Sequence, residues 1–298
     1  MNLSVMPIES KRGHHFSSLT AGKSVYYEHV LPQGKSLGTV LLLHGLGDHV
    51  GRHEWAFRLL ADSGYEVIAI DWPGSGKSAG IRGDLPRVKE VSPLIEEVLG
   101  HADRRPVGVM AHSTGGFFLM HLLRDPPAPL SNLEWCWFSS ALLQPDHGQP
   151  AIKVAGARLL AALFPRFTLS TGVHPSDCYH VPPGEDPDHF THGIHNRISL
   201  GFGADLLDTA KEADFIEAAE WYPEGIKTLL VVGGEDPVCP PEFALQYFSR
   251  LPRDSATLLY HAGARHEPFR EPDASRSLGS IRVWLKNRVR ESALAGCG

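Results

Sequence analysis

The sequence predicts an α/β fold in which a mostly parallel central sheet carries helices on both faces and an inserted cap subdomain. Three observations predict it. Short, continuous apolar runs, which are typical of strands buried on both faces of a sheet, alternate with segments of helical spacing. Loops rich in glycine or polar residues follow several of these runs. From about residue 144 to residue 225 the alternation stops, which indicates an insertion.

Composition limits the classes of function. The 298 residues are enough for a large core, and 42% hydrophobic with 21% charged residues favours a globular over a disordered chain. A net charge of -6 without a basic run argues against a nucleic-acid partner. The four cysteines are scattered, as in proteins of a reducing compartment, so we expect a cytoplasmic protein. Neither a secretory signal nor a bilayer-spanning apolar run is expected.

The N-terminal half of the chain has the order of a parallel sheet. Residues 14–31 mix β-forming residues around Gly22 and predict a hairpin at a sheet edge. A strand, a helix and a second strand then form a βαβ crossover, which joins parallel neighbours. The predicted elements are strand 39–43, helix 54–63, strand 65–70, helix 85–103, a strand that begins at residue 107, and strand 133–138.

The loop from Asp71 to Ser78 ends in Gly-Lys-Ser, as a phosphate-binding P-loop does. A P-loop needs a glycine at the position that Asp71 occupies, and the chain has no Gly-x-Gly-x-x-Gly motif either. We therefore predict a structural turn at the carboxyl end of a strand. No nucleotide and no other cofactor is expected.

The C-terminal half of the chain interrupts the sheet and then resumes it. Such an insertion is expected to cap the carboxyl edge of the sheet, where open α/β sheets bind ligands. The predicted division is a first core segment of residues 1–143, a cap of residues 144–225 and a second core segment of residues 226–298. Its predicted elements are an apolar helix 151–164, a proline-interrupted segment 165–187, a helical stretch 196–211, strand 227–233, helix 241–251, strand 256–260 and helix 275–290.

One stretch combines a strand, a serine and a helix. The apolar run that begins at Val107 leads to Ser113, and an apolar helical pattern follows at once. Ala111, Gly115 and Gly116 are small enough for the sharp turn that this sequence requires. The turn would expose the serine hydroxyl at its apex as a nucleophile. The alternative is a serine that merely caps the helix.

Two further residues complete a candidate nucleophilic constellation. A serine hydroxyl needs a neutral imidazole as its base, and a carboxylate to orient that imidazole. Asp236 and His266 each follow a predicted strand, so a parallel sheet would bring them to the same edge as Ser113. Glu235 and Asp146 remain alternatives for the carboxylate.

The tetrahedral intermediate of such a reaction needs two N–H donors for its oxyanion. We assign them to the backbone amides of Leu46, in the loop after the first central strand, and Thr114, directly after the serine. A metal site is not expected, because no Cys/His set has zinc spacing. The histidines of the cap are expected to be solvated or hydrogen-bonded: His174, His180, His189, His192 and His195.

Five motifs occur in order along the chain: the loop His44–His53 with Asp48 and Arg52, the turn Asp71–Ser78, the elbow Ala111–Gly116, Gly234-Glu-Asp236 and Gly263-x-x-His266. From about residue 34 to residue 284 the sequence thereby resembles the monoacylglycerol lipase and lysophospholipase branch of the α/β-hydrolases. The resemblance implies the same nucleophile, acid, base and oxyanion amides, together with a cap that shapes an acyl pocket. Ala111 replaces the usual glycine, and residues 165–187 match nothing that would define an acyl-chain preference.

The sequence therefore predicts a serine esterase that cleaves carboxylic esters of lipid-like alcohols through an acyl-enzyme, with a small acyl ester as its partner. An aminopeptidase, a C–C bond hydrolase or a perhydrolase on the same fold is one alternative, because fold does not fix function. A binding protein with an inert serine is another. The apolar residues 151–164 suggest peripheral contact with a membrane or micelle, against the simpler interpretation of a cap helix packed on the core.

Overall fold

A computed structural model describes residues 11–145, 147, 151–181, 194–212 and 222–295 of the protein. The strands are β1 (Lys11–Ser18), β2 (Lys23–Val30), β3 (Thr39–Leu43), β4 (Glu66–Ile70), β5 (Pro106–His112), β6 (Trp135–Ser139), β7 (Thr168–Ser170), β8 (Arg197–Ser199), β9 (Lys227–Gly233) and β10 (Ala256–His261). The helices are α1 (Glu54–Asp62), α2 (Val88–Leu99), α3 (Thr114–Arg124), α4 (Ala151–Leu163), α5 (Pro175–Cys178), α6 (Leu200–Glu212), α7 (Pro241–Arg250) and α8 (Ala274–Ala295).

Within the described ranges, the central sheet has eight strands in the order β1-β2-β4-β3-β5-β6-β9-β10. The strands from β4 to β10 in this order are parallel neighbours, whereas β1 and β2 form an antiparallel hairpin that pairs with β4. Strands β3, β4, β5 and β6 are buried along their whole length. This burial explains their continuous apolar runs and confirms the mostly parallel sheet that the sequence predicts.

Helices cover both faces of the sheet, as predicted. One apolar cluster packs α2, α3 and α7 against one face, through residues such as Leu94, Phe118 and Tyr247. A second cluster packs α1 and α8 against the other face, through Phe57 and Leu285. The fold is the α/β-hydrolase fold that the motifs imply.

The insertion lies between β6 and β9 and contains α4, β7, α5, β8 and α6, with β7 and β8 paired antiparallel. Helix α6 joins it to the core, because Phe202 is fully buried and its ring lies 6.1 Å from that of Phe118. Elsewhere in the cap, the Cys178 carbonyl accepts a hydrogen bond from the Glu267 amide at 2.6 Å. The cap thus contacts the core both through α6 and through the segment around Cys178, while its predicted limits of 144 and 225 stay a prediction.

A few predicted boundaries are wrong by several residues. Helix α2 covers 88–99 rather than 85–103, because Arg87 caps its first turn and it ends at Gly100. The stretch 196–211 divides into β8 and α6, and α8 extends to residue 295. Residues 182–193 and 213–221 lie outside the described residues. Among the described helices, none is both long enough and apolar enough to cross a membrane.

The turn after β4 is structural, in agreement with the prediction for Asp71–Ser78. The Asp71 carboxylate accepts hydrogen bonds from the amides of Val50 and Lys77, each at 2.7 Å. It thereby ties this turn to the loop after β3. Burial raises the pKa of Asp71 to about 6, against the effect of these two amides.

Candidate active site

The carboxyl ends of neighbouring strands gather the candidate residues. Ser113 directly follows β5, Asp236 lies in the loop after β9, and His266 lies in the loop after β10. Leu46 lies in the loop after β3, which is the neighbour of β5. Because these strands are parallel, their carboxyl ends meet at one edge of the sheet, where the sequence predicts the site.

Ser113 has a strained backbone conformation. Its φ of 52° and ψ of -121° lie in a region that residues other than glycine rarely adopt. The turn is also tightly packed: a Cβ on Gly45 would lie 2.8 Å from the Ser113 Cβ, and one on Gly115 would lie 2.4 Å from the Leu43 carbonyl oxygen. The Ser113 side chain makes no capping hydrogen bond to α3. The capping alternative is therefore not supported, and the backbone strain is typical of a nucleophile elbow.

His266 and Asp236 form a buried pair. The Nδ1 atom of His266 lies 2.8 Å from Oδ2 of Asp236, and Oδ1 of Asp236 accepts hydrogen bonds from the amides of Val238 and Cys239 at 2.8 and 2.9 Å. With Nδ1 at the carboxylate, Nε2 is the ring nitrogen that can receive a proton. Burial alone lowers the pKa of His266. The Asp236 carboxylate and the nearby Cys239 thiol outweigh burial, and the pKa is raised well above its ordinary value of 6.5.

The alternative acids differ from Asp236 in their surroundings. The Glu235 side chain is mostly exposed and faces the cap, with its Oε2 atom 3.9 Å from Nε2 of His180. Asp146 lies outside the described residues. The geometry thus favours Asp236 as the partner of His266.

A second histidine, His112, lies next to the serine in the chain, although no sequence motif singles it out. Its Nδ1 atom lies 3.1 Å from the Ser139 carbonyl oxygen, and its ring lies 4.9 Å from the ring of His266. Burial, followed by the charge of His266, lowers its pKa well below 6.5. His112 therefore stays neutral when His266 takes up a proton.

His44 holds the loop after β3. Its Nδ1 atom donates to the Gly45 carbonyl at 2.7 Å, and its Nε2 atom accepts from the Trp72 amide at 3.2 Å. Burial lowers its pKa to about 3, so this neutral tautomer persists at ordinary pH. The Leu46 amide therefore lies in a loop that His44 fixes through its hydrogen bonds with Gly45 and Trp72.

A cavity of about 260 Å³ is lined by Ser113, Thr114, His266 and Leu46. Its volume lies just below the usual range of small-molecule sites, which begins at about 300 Å³. Amides in the first turn of a helix have no partner within the helix, so the Thr114 amide at the start of α3 is suited to bind an oxyanion. Several apolar residues of the core and the cap also line the cavity: Leu142, Val173, Ile194, Ile198, Leu206 and Val238.

A charged group also lines this cavity. Arg52 Nη1 donates to Asp48 at 2.9 Å, and its Nη2 donates to both carboxylate oxygens of Glu267 at 2.9 and 2.7 Å. Asp48 also bonds His53 Nε2 at 2.6 Å. The sequence indicates Asp48 and Arg52 only as members of a motif. It assigns no role to Glu267, although the position of this residue directly after His266 is a usable signal.

One set of side chains among the described residues has the composition of a metal site: His29, Glu66 and Asp103. It lies at the start of β4, at the opposite end of that strand from the candidate active site. Glu66 already accepts hydrogen bonds from His29 Nε2 at 2.7 Å, the Asp103 amide at 2.8 Å and the Thr39 hydroxyl at 2.9 Å. These contacts account for the cluster as a hydrogen-bonded group.

The cap histidines have separate surroundings where they are described. His180 Nδ1 lies 3.0 Å from Oε2 of Glu271, and the His195 amide donates to the Gly47 carbonyl at 3.0 Å. His189 and His192 lie outside the described residues.

Known proteins of the α/β-hydrolase class are similar to this chain along nearly its whole length. The family model described as serine aminopeptidase, S33, matches residues 34–273. Monoacylglycerol lipase from Mycolicibacterium smegmatis is 24% identical over 95% of this chain and 100% of its own length. An uncharacterized abhydrolase domain-containing protein from Dictyostelium discoideum is 28% identical over 87% of this chain, which spans only 27% of that longer protein.

A solved structure agrees with these relatives. The monoacylglycerol lipase of Paleococcus ferrophilus superposes with a TM-score of 0.75 at 30% identity, and the match covers 89% of this chain and 99% of that protein.

Proposed function

The chain belongs to the serine aminopeptidase, S33, family of α/β-hydrolases, in the branch with the monoacylglycerol lipases, and from this we propose that it is a serine esterase for lipid-like alcohols. The substrates would be carboxylic esters such as monoacylglycerols and lysophospholipids. One observation carries the proposal. The strained Ser113 shares a cavity with a histidine whose Nδ1 lies 2.8 Å from a buried carboxylate.

In the proposed reaction, Nε2 of His266 takes the proton of the Ser113 hydroxyl as its Oγ attacks the ester carbonyl carbon. Asp236 stabilises the resulting imidazolium, and the amides of Leu46 and Thr114 bind the oxyanion. The intermediate collapses to an ester of Ser113, and the alcohol leaves with the proton from His266. Water then attacks the acyl-enzyme with the same histidine as base, which releases the acid and restores the serine hydroxyl.

The family description also makes an aminopeptidase the principal alternative. Binding of a substrate's α-ammonium group needs a carboxylate that is not already paired with a cation. Among the described residues, two carboxylates line the cavity, those of Asp48 and Glu267, and both bind Arg52. This pairing favours a neutral ester over a peptide with a charged amino terminus.

The test combines a fluorophosphonate probe with p-nitrophenyl and glyceryl esters of graded acyl length. We expect labelling and ester hydrolysis by the natural chain, and a loss of kcat of about 10⁴-fold or more in a folded Ser113→Ala variant. Full activity of that variant would overturn the proposal. Hydrolysis of aminoacyl anilides or β-diketones in place of esters would indicate another reaction, and the absence of labelling would indicate an inert serine.

We also propose that the cap contacts a lipid surface. Large apolar side chains of α4 and the segment after it are roughly half exposed or more: Ile152, Leu159, Leu160, Leu163, Phe164, Phe167 and Leu169. The same segment continues through β7 into Thr171 and Val173, which line the cavity. A lipid aggregate on this face would therefore lie beside the mouth of the candidate site.

The lipid contact is tested by flotation with phosphatidylcholine vesicles. A variant with Leu163, Phe164 and Phe167 changed to Ser should bind at least about tenfold less, because each removed apolar side chain contributes about 1.5 kcal/mol or more when buried. Hydrolysis of a short, water-soluble ester should stay unchanged. Leu19→Ser is the matched control, because Leu19 is 92% exposed in the turn between β1 and β2. Equal binding by the triple variant would contradict the proposal, as would a dimer of the natural chain that only this variant abolishes.

The scattered cysteines keep the cytoplasm as the expected location. The described ones, Cys136, Cys178 and Cys239, are free thiols.

A further inference from the structure

Glu267 connects three regions of the candidate site. It directly follows His266, and its carboxylate receives two hydrogen bonds from Arg52 in the turn before α1. Its backbone amide donates to the Cys178 carbonyl of the cap at 2.6 Å. A single residue thus touches the loop of the candidate base, the loop of the candidate oxyanion donor and the cap.

The connection is buried and charged. The Arg52, Asp48 and Glu267 side chains are all less than 15% exposed. Burial by itself disfavours the charge of Arg52, but Glu267 and Asp48 raise its pKa beyond its ordinary value. Burial likewise raises the pKa of Asp48, yet His53 and Arg52 hold it well below the usual range. Arg52 and Asp48 therefore stay ionised, and the hydrogen bonds that Arg52 makes to Asp48 and Glu267 are preserved.

Net stability does not explain such an arrangement well. A buried ion pair roughly balances its own desolvation, and apolar side chains of the same size would pack at least as well. Charge-assisted hydrogen bonds from Arg52 Nη2 to both Glu267 oxygens, with Nη1 held by Asp48, instead fix the distance between these side chains. Asp48, the other partner of Arg52, lies two residues after Leu46. Arg52 therefore links the candidate oxyanion loop to Glu267, which directly follows His266.

We infer that the Arg52–Glu267 pair is a brace that sets the separation between the His266 imidazole and the Leu46 amide, and that Glu267 is a positioning residue for the hydrolysis. This inference rests on the proposed esterase function. The brace holds base and oxyanion donor at a spacing that matches the tetrahedral intermediate. Ground-state binding of the acyl chain depends mainly on the apolar residues that line the cavity, so loss of the pair is expected to change KM less than kcat.

The test is a double-mutant cycle with Glu267→Gln, Arg52→Gln and the pair together, assayed on one p-nitrophenyl ester. Displacements of about 1 Å at a reacting centre cost on the order of 100-fold in rate. We expect each single variant to lower kcat 10- to 100-fold with KM changed less than threefold. The double variant should lose no more than the worse single variant, because one brace is broken in each case.

The control is Glu134→Gln, which breaks the exposed ion pair with Arg105 and should keep kcat within twofold of the natural chain. Glu267→Asp is a second variant in case Glu267→Gln folds poorly. It keeps the carboxylate but shortens the side chain, so we expect it to fold and still to have a lowered kcat. A lower Tm with kcat within twofold in both Glu267 variants would overturn the inference. If the natural chain neither hydrolyses esters nor reacts with the fluorophosphonate, the proposed function itself fails. Failure of the proposed function is thereby distinguished from failure of the inference about Glu267.

Discussion

The carboxyl edge of the sheet and the outer face of the cap distribute polar and apolar groups in opposite ways. At the sheet edge, charged side chains such as Asp48, Asp236 and His266 are buried. On the cap, leucine and phenylalanine side chains of α4 and the turn after it are exposed. Both patterns oppose the usual preference for apolar interiors and polar surfaces.

The difference shows where each region depends on a partner. The buried charges of Asp48, Asp236 and His266 at the sheet edge each have a protein partner. The apolar face of the cap lacks cover from any described segment of the chain. Under the proposed function, the first region carries the chemistry and the second contacts lipid, and substitutions in each region distinguish the two roles.

After Ser113→Ala, the largest effect is expected from Asp236→Asn at the sheet edge. Asparagine keeps the shape but lacks the charge that stabilises the imidazolium, and it favours the wrong tautomer of His266. We expect kcat for ester hydrolysis to fall about 10³- to 10⁴-fold. Steady-state kinetics measures this, with Asp62→Asn as the control, because Asp62 is about half exposed and pairs with Arg282. A loss smaller than tenfold would argue for another acid.

A matched pair of substitutions compares the two sides of the cap. Phe202→Ala removes a fully buried ring where α6 meets the core, whereas Leu163→Ala removes a side chain that is 65% exposed. The first should lower the free energy of unfolding by about 3–5 kcal/mol, because it leaves a cavity. The second should change it by less than about 0.5 kcal/mol. Urea denaturation measures both, and similar losses would mean that the outer face of α4 is covered by protein.

The smallest effect is expected in the pH dependence of kcat/KM. Hydrolysis needs neutral His266, so kcat/KM rises with pH through the pKa of this residue, which lies above 6.5 in the folded protein. In Asp236→Asn the attraction of the carboxylate is lost while burial still lowers the pKa, so the midpoint should move to lower pH. A pH–rate profile of both proteins checks the direction. An unchanged midpoint would show that a group other than His266 controls the rise of kcat/KM with pH.

The sheet could be predicted from sequence because its signals are local. Continuous apolar runs mark buried strands, and the parallel order then brings residues as distant as Ser113 and His266 to one edge. The proximity of Asp236 to His266 follows from the same argument.

Other features depend on contacts between distant residues and have no local signal. The Arg52–Glu267 pair joins positions 215 apart in the chain. An apolar run such as that of α4 has the same appearance whether the helix is covered or exposed. The burial of His112 against Ser139 likewise follows from the pairing of β5 with β6 and not from its own neighbours in sequence.

The insertion of the cap between β6 and β9 also sets the order in which a ribosome delivers the site. The strained serine emerges first, the cap follows, and the acid and the histidine come only with the last two strands. Until β9 pairs with β6 and β10 pairs with β9, a nascent chain holds a serine with neither Asp236 nor His266 beside it. Under the proposed function, the nascent chain cannot hydrolyse esters before its cap, which binds the lipid surface, has been synthesised.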